Sequence, residues 1–142
     1  MLRFTVFTPT FNMSSTISRV YNSLCSQTLR DFEWIVVDDG SDDNTVQRVR
    51  SWIETGTLDI RLHTQENSGK HIAWNRAVEM ARGEFFVTMD ADDEFLENSL
   101  ELLHSVWSSI DKPLAYAGVT CPCLDSETRE LVGDPIPGPY VD

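Results

Sequence analysis

The sequence predicts an α/β fold, with a mostly parallel sheet flanked by helices. Three observations lead there. Short runs rich in β-branched and aromatic residues alternate with helix-length amphipathic segments, the pattern of βαβ units. The strand candidates run into polar loops rather than tight hairpin turns: Pro9 to Asn12, Asp38 to Ser41, His63 to His71 and Asp90 to Asp93. A length of 142 residues with 41% hydrophobic composition suits one compact domain with a real core, and excludes disordered, collagen-like and disulfide-scaffold classes.

Taken in order, residues 2–8 (L-R-F-T-V-F-T) read as the first strand, ending at Pro9. Ser14 or Ser15 can cap a helix reaching about Thr28, with Ile17, Val20, Tyr21 and Leu24 at helical spacing. Phe32 to Val37 is the second strand, cut off by Asp38-Asp39-Gly40-Ser41. Asp42 or Asp43 caps a second helix that turns Val46, Val49, Trp52 and Ile53 inward. Ile60 to His63 is a short third strand. The spacing then predicts a helix over 70–81, with Ile72, Ala73, Ala77 and Met80 on its apolar side and Gly83 ending it. Glu84 to Met89 is the fourth strand, a helix follows from about Asn98 to Ser109, and a last strand is expected at Leu114 to Thr120. Residues 125–142 read as a turn-rich tail, because Pro135, Pro137, Gly138 and Pro139 break regular structure.

The charge narrows the function classes. Eleven Lys+Arg stand against 23 Asp+Glu, a formal net charge of −12. Such a surface does not neutralise phosphates at scale, which argues against a nucleic-acid binder. An excess of acid is ordinarily a solvated, solubilising surface, and less often some of it holds a cation. Cys25, Cys121 and Cys123 fit reduced, buried or half-buried thiols rather than a redox or zinc motif. No stretch reaches the ~18 apolar residues of a membrane span, and the N-terminus reads as a strand rather than a signal peptide. The expectation is a cytoplasmic protein, either free or peripheral to the inner membrane face.

In α/β sheets ligands sit beyond the carboxyl ends of the strands, so the acidic loops there are the candidate site. In Asp90-Ala91-Asp92, alternate residues of an extended segment would aim two carboxylates at one place. Paired hard oxygens suit Mg²⁺ or Mn²⁺, which keep positions for substrate phosphates. The same residues fit a turn former at Asp90 and a helix cap at Asp92 or Asp93. Asp38-Asp39-Gly40-Ser41 carries the same two readings. Lys70 opens a helix at the ligand edge, where backbone N–H groups favour anions, or is a solvated lysine. Taken alone, each loop fits structure as well as function.

The combination is more specific. An N-terminal strand followed by P-T-F-N, then L-C-S-Q-T-L-R-D-F, E-W-I-V-V-D-D-G-S-D-D-N-T, N-S-G-K-H-I-A-W-N-R-A, A-R-G-E-F-F and D-A-D-D resembles family-2 glycosyltransferases in order and spacing, from about Phe4 to Leu102. The resemblance implies a Rossmann-like GT-A fold and transfer of a sugar from a nucleotide-diphosphate donor to an acceptor hydroxyl. Inversion and a divalent metal, Mn²⁺ or Mg²⁺, are usual in that family. It implies that Pro9, Thr10 and Phe11 line the nucleobase pocket and that Asp39, with Asp38 beside it, receives the base N–H. Lys70 would approach the nucleotide and Asp90 the ribose hydroxyls. Asp92 would coordinate the metal, with Asp93 in support. The partners implied are a UDP- or GDP-sugar and a sugar, lipid-linked or polysaccharide acceptor.

One departure matters. The family's usual general base is an Asp or Glu well beyond the D-x-D turn, in the acceptor half. Here only Glu94 to Asp142 follow, and none of Asp111, Asp125, Glu127, Glu130 or Asp134 sits in a recognisable base motif. The expectation is a single nucleotide-sugar-binding domain over residues 1–142, cut before the acceptor half, with the catalytic base outside this chain. Among alternatives, a metal-dependent nucleotidyltransferase would place a Gly-rich basic loop after the first strand, where Thr8-Pro9-Thr10-Phe11-Asn12 has neither. A receiver domain would pair its acids after the first strand, not the second. A non-catalytic nucleotide-binding module would share the same site residues.

Overall fold

The first two hydrophobic runs become interior strands, β1 (Phe4–Thr10) and β2 (Phe32–Asp38), with nearly every side chain buried, as strands covered on both faces require. The computed structural model describes residues 2–111 and 117–133. The chain divides into two compact units, Met1–Leu100 and Glu101–Asp142.

In the first unit, α1 (Ile17–Cys25) and α2 (Thr45–Thr55) precede β3 (Ile60–Thr64), and α3 (Lys70–Met80) precedes β4 (Phe85–Thr88). The strands form one parallel sheet in the order β3-β2-β1-β4. Thr10 lies opposite Asp38, Asp38 opposite Thr64, and Phe7 opposite Thr88. Every strand therefore presents its carboxyl end on one edge of the sheet.

Alternation along β1 and β2 divides the core between two faces. Phe7, Ile35 and Val37 pack with Ala73 and Ala77 of α3, and Met80 and Phe86 lie against them. On the other face the Trp34 indole N–H donates to Thr8 Oγ1 at 3.0 Å. Tyr21 of α1 there stacks on Trp52 of α2 at 4.4 Å between ring centroids.

At the amino end of the sheet, Glu33 is fully buried. It accepts hydrogen bonds from Thr5 Oγ1 (2.8 Å), the Arg82 N–H (2.6 Å) and Arg82 Nε (2.8 Å), and from Arg61 Nη1 at 3.2 Å. Burial pushes its carboxyl up, but these bonds outweigh burial and hold the pKa below the ordinary 4.5. The cluster ties the α3–β4 turn to β1 and β2.

Several boundaries differ from the sequence expectation. Helix α1 starts at Ile17 with Thr16 as N-cap, so neither Ser14 nor Ser15 caps it. Helix α2 starts at Thr45 after Asn44, and Asp43 instead accepts from the Thr45 N–H and hydroxyl and from the Ser14 N–H. Its carboxylate thus satisfies a first-turn amide from one residue further out while holding the two loops together. Gly83 does not end α3, whose C-cap is Ala81. A Cβ on Gly83 would lie 2.4 Å from the Phe4 and Thr5 backbone, so the glycine permits close approach to β1. Ile53 and Ile72, at 38% and 40% exposure, are more open than an inward-facing position allows.

Helix α4 (Ser99–Ser108) buries Leu100 in its first turn. In the second unit, β5 (Cys123–Leu124) pairs antiparallel with β6 (Leu131–Val132), a small hairpin where only a turn-rich tail was expected. The strand expected at Leu114 to Thr120 falls in part outside the described residues, and residues 117–120 are not strand. Pro135, Pro137, Gly138 and Pro139 also lie outside the described residues. Among the described residues no helix is long and apolar enough to cross a membrane.

Candidate functional site

A cavity of about 340 Å³ opens at the carboxyl edge of the sheet. Pro9, Thr10, Phe11 and Met13 line it from the β1 end, Asp39 from the β2 end, Lys70 from the start of α3, and Asp90, Ala91 and Asp92 from the loop after β4. Of the nine residues singled out from the sequence, Pro9, Thr10, Phe11, Asp39, Lys70, Asp90 and Asp92 thus come together. Asp38 and Asp93 do not line it.

The two loops after β1 and β2 are stapled to each other. Asp38 is 2% exposed, and its carboxylate accepts from Thr10 Oγ1 at 2.9 Å, from the Ser41 N–H at 2.9 Å and from the Ser41 hydroxyl. Ser41 Oγ in turn accepts from the Asn12 N–H, and Asn12 Oδ1 accepts from the Asp42 and Asp43 N–H groups. Asn12 takes a left-handed φ of 56° to do this, a conformation its short polar side chain tolerates. Phe11, beside this brace, is 47% exposed and lines the cavity.

Asp39 is 6% exposed. Its Oδ1 accepts from Gln65 Nε2 and the Ser68 N–H, and its Oδ2 from the Gly69 N–H, all at 2.8 Å. Burial raises its carboxyl pKa. The Ser68, Gln65 and Gly69 bonds outweigh burial and leave the pKa below the ordinary 3.8. A carboxylate offers about four lone-pair sites, so one direction on Oδ2 is still available to a ligand. The carboxylate thereby fixes the 65–69 loop that delivers Lys70. Gly69 supports this with φ +93°, a region where a side chain is strained.

The D-A-D-D segment is a turn rather than the extended stretch expected: the Asp93 N–H donates to the Asp90 carbonyl at 3.1 Å. The turn still brings Asp90 and Asp92 to the cavity. Because α4 starts only at Ser99, neither Asp92 nor Asp93 caps it. Lys70 Nζ donates to Asp90 Oδ1 at 2.6 Å. Asp93 is exposed, yet partial desolvation first, then the charges of Asp92 and Asp90, hold its carboxyl above the ordinary 3.8, against the pull of Lys70.

Among the described residues, no three His, Cys, Asp or Glu side chains are arranged to hold a metal ion by themselves. Asp92 at the cavity, with Asp93 next to it in the turn, does fit the other mode, in which one or two carboxylates hold Mg²⁺ or Mn²⁺ and substrate phosphates and water complete the shell. Met13, Ala91 and Gln65 were not identified from the sequence. Met13 and Ala91 carry no chemical signature, and Gln65 acts only through a loop closure that spacing does not reveal.

A parallel sheet with acids, one ammonium and an aromatic ring gathered at its carboxyl edge defines an α/β protein of the Rossmann-like class, with its ligand site at the strand ends. The chain belongs to glycosyl transferase family 2, whose profile matches residues 5–132. The uncharacterized glycosyltransferase YibD of Escherichia coli is 34% identical over 101 residues, covering 71% of this chain and 29% of YibD. Among solved structures, S. aureus TarS in complex with UDP superposes with a TM-score of 0.70 at 31% identity, over 75% of this chain and 32% of that one. The mannosyltransferase PcManGT of Pyrobaculum calidifontis, in complex with GDP-Man and Mn²⁺, gives a TM-score of 0.63 at 37% identity, over 66% of this chain and 28% of that one. The sheet is accordingly that of a GT-A glycosyltransferase. The chain spans about a third or less of the length of these three proteins.

Proposed function

We propose that this chain is the sugar-donor-binding part of an inverting, metal-dependent glycosyltransferase. It moves a sugar from a UDP- or GDP-sugar to an acceptor hydroxyl on a sugar, lipid-linked or polysaccharide substrate. The observation that carries the reading is the gathering of Phe11, Asp39, Lys70, Asp90 and Asp92 around one strand-end cavity in a family-2 chain. The UDP complex of TarS and the GDP-Man and Mn²⁺ complex of PcManGT support the choice of ligand.

The roles follow from the chemistry of the side chains. Phe11 offers a ring face to the base, with Pro9 and Thr10 beside it. Asp39 accepts a base N–H on the Oδ2 direction its own loop leaves unused. Asp38 braces Thr10 and Ser41, and so shapes the pocket without touching the nucleotide. Asp90 accepts from ribose hydroxyls, and Lys70 approaches the diphosphate. Asp92, with Asp93 in support, would hold the divalent cation, which when bound offsets the charge growing on the departing diphosphate. The base that deprotonates the acceptor hydroxyl we assign to polypeptide beyond this chain, which by itself binds donor but transfers sugar poorly.

Calorimetry of UDP, GDP, ADP and CDP with and without Mn²⁺ tests this. The reading expects UDP or GDP to bind with a metal-dependent component that Asp92→Ala removes. Equal binding by Asp92→Ala and wild type would sink the metal assignment, and efficient transfer by these 142 residues alone would sink the assignment of the base.

A further inference from the structure

The Lys70–Asp90 ion pair joins two loops across the cavity. On one side, the backbone just before Lys70 is fixed by the Asp39 carboxylate through the Ser68 and Gly69 N–H groups. On the other, Asp90 follows Met89, whose N–H donates to the Phe7 carbonyl of β1 at 2.9 Å. Both backbones are thus tied to the sheet, while the two side chains stay 58% and 45% exposed and meet at 2.6 Å. Among the described residues, Lys70 is the one cationic residue in the lining, against Asp39, Asp90 and Asp92.

We propose that Lys70 is a built-in counter-ion that makes cation binding at this site depend on the nucleotide. Without a ligand its ammonium occupies the Asp90 carboxylate and opposes the acids that would otherwise collect a free divalent cation. A nucleoside diphosphate draws the ammonium to its phosphates, frees Asp90 for the nucleotide, and removes the positive charge from the side of the cation. The inference rests on the donor-site reading above and adds a coupling between two ligands of that site. A half-exposed ion pair is a weak interaction in water, so the exchange meets a small barrier and leaves no charge buried without a partner. The coupling is reciprocal: whatever the nucleotide adds to cation affinity, the cation adds to nucleotide affinity.

The test is a titration of the chain with Mn²⁺ alone, then with UDP or GDP present, for wild type, Lys70→Met, Asp90→Asn and the double variant. Lys70→Met should bind Mn²⁺ alone about fivefold more tightly and the nucleoside diphosphate about tenfold more weakly; with Mn²⁺ affinity in the nucleotide complex little changed, the coupling shrinks about fivefold. On the Asp90→Asn background, Lys70→Met should change Mn²⁺ affinity less than it does in wild type. If Mn²⁺ binds together with the nucleotide but its affinity is unchanged or reduced in Lys70→Met, the counter-ion role is overturned and the donor site stands. If neither wild type nor Lys70→Met retains Mn²⁺ even when UDP or GDP is bound, the metal assignment and the counter-ion role fall together and the donor site stands; if neither UDP nor GDP binds with or without Mn²⁺, the donor-site reading falls as well.

Discussion

Asp39→Asn removes one charge and one oxygen at the centre of the pocket. In the wild type three donors converge on this carboxylate, from Gln65, Ser68 and Gly69. In the variant one oxygen can keep Gln65 and Ser68, but the new NH₂ then faces the Gly69 N–H, donor against donor. A hydrogen bond to a charged group contributes about 1.5–3 kcal/mol and a neutral one about half that. The variant therefore loses one bond outright and weakens two. Water reaches the exposed side of the 65–69 loop and recovers part of the loss, leaving a cost of about 2–3 kcal/mol. Hydrogen exchange read by NMR, together with urea unfolding, gives the number directly: the Ser68 and Gly69 amides lose protection, and unfolding free energy falls by that amount. Because the same loop carries Lys70, nucleoside diphosphate affinity should fall by at least about tenfold, equivalent to 1.4 kcal/mol. A stability change below about 0.5 kcal/mol, with both amides still protected, would refute the claim that Asp39 organises this loop.

The opposite end of the sheet should behave independently. Glu33→Ala leaves the buried Thr5 hydroxyl and the Arg82 N–H without their acceptor, while the Arg82 and Arg61 side chains, 50% and 33% exposed, keep Asp59 and the Met80 carbonyl. The cost should be about 2–4 kcal/mol in urea unfolding, with nucleotide affinity of the folded protein unchanged. Acid should expose the same groups. Burial raises the carboxyls of Glu33, Asp39 and Asp43, but hydrogen bonds hold all three below their ordinary values. Such groups contribute stability that is whole above the unfolded values of 4.5 and 3.8 and is lost as pH falls through the lower folded-state values. Urea midpoints should accordingly decline on acidification through that range, with a shallower slope in Glu33→Gln. Phe11→Ala should leave stability unchanged, since the ring is 47% exposed. It should weaken nucleotide binding by about 1–3 kcal/mol in calorimetry, the worth of one base stacked on a ring.

The sheet was legible because β-branched and aromatic runs at Phe4–Thr10 and Phe32–Asp38 have few other ways to bury themselves. Helix starts were not, because Ser14, Ser15, Asp42 and Asp43 all have capping chemistry and only tertiary contacts choose among them. Asp43 shows why: its carboxylate serves Ser14 as well as Thr45, so its position answers to two loops at once. The same limit applies inside the site. Two adjacent aspartates at the end of β2 have the same chemistry, and alternation puts their side chains on opposite sides. Which one faces the cavity depends on register: Asp38 lies opposite Thr10, whose hydroxyl engages it. That leaves Asp39 to the pocket, the choice the family resemblance implied and the chemistry of D-D-G-S alone could not make.

The charge distribution gives a physical reason for the cation in the proposed reaction. Among the described residues, three carboxylates and one ammonium line the cavity, in a chain whose net charge is −12. A diphosphate is itself an anion, so it would enter a net negative pocket of a net negative protein against repulsion. Lys70 offsets one charge, and it is already engaged by Asp90. A divalent cation changes the sign of the balance at the one place where Asp92 and the phosphates could share it. In the proposed reading such an ion reconciles the excess acid that weighs against nucleic acid with a phosphorylated ligand, and the acids at the strand ends are what would hold it.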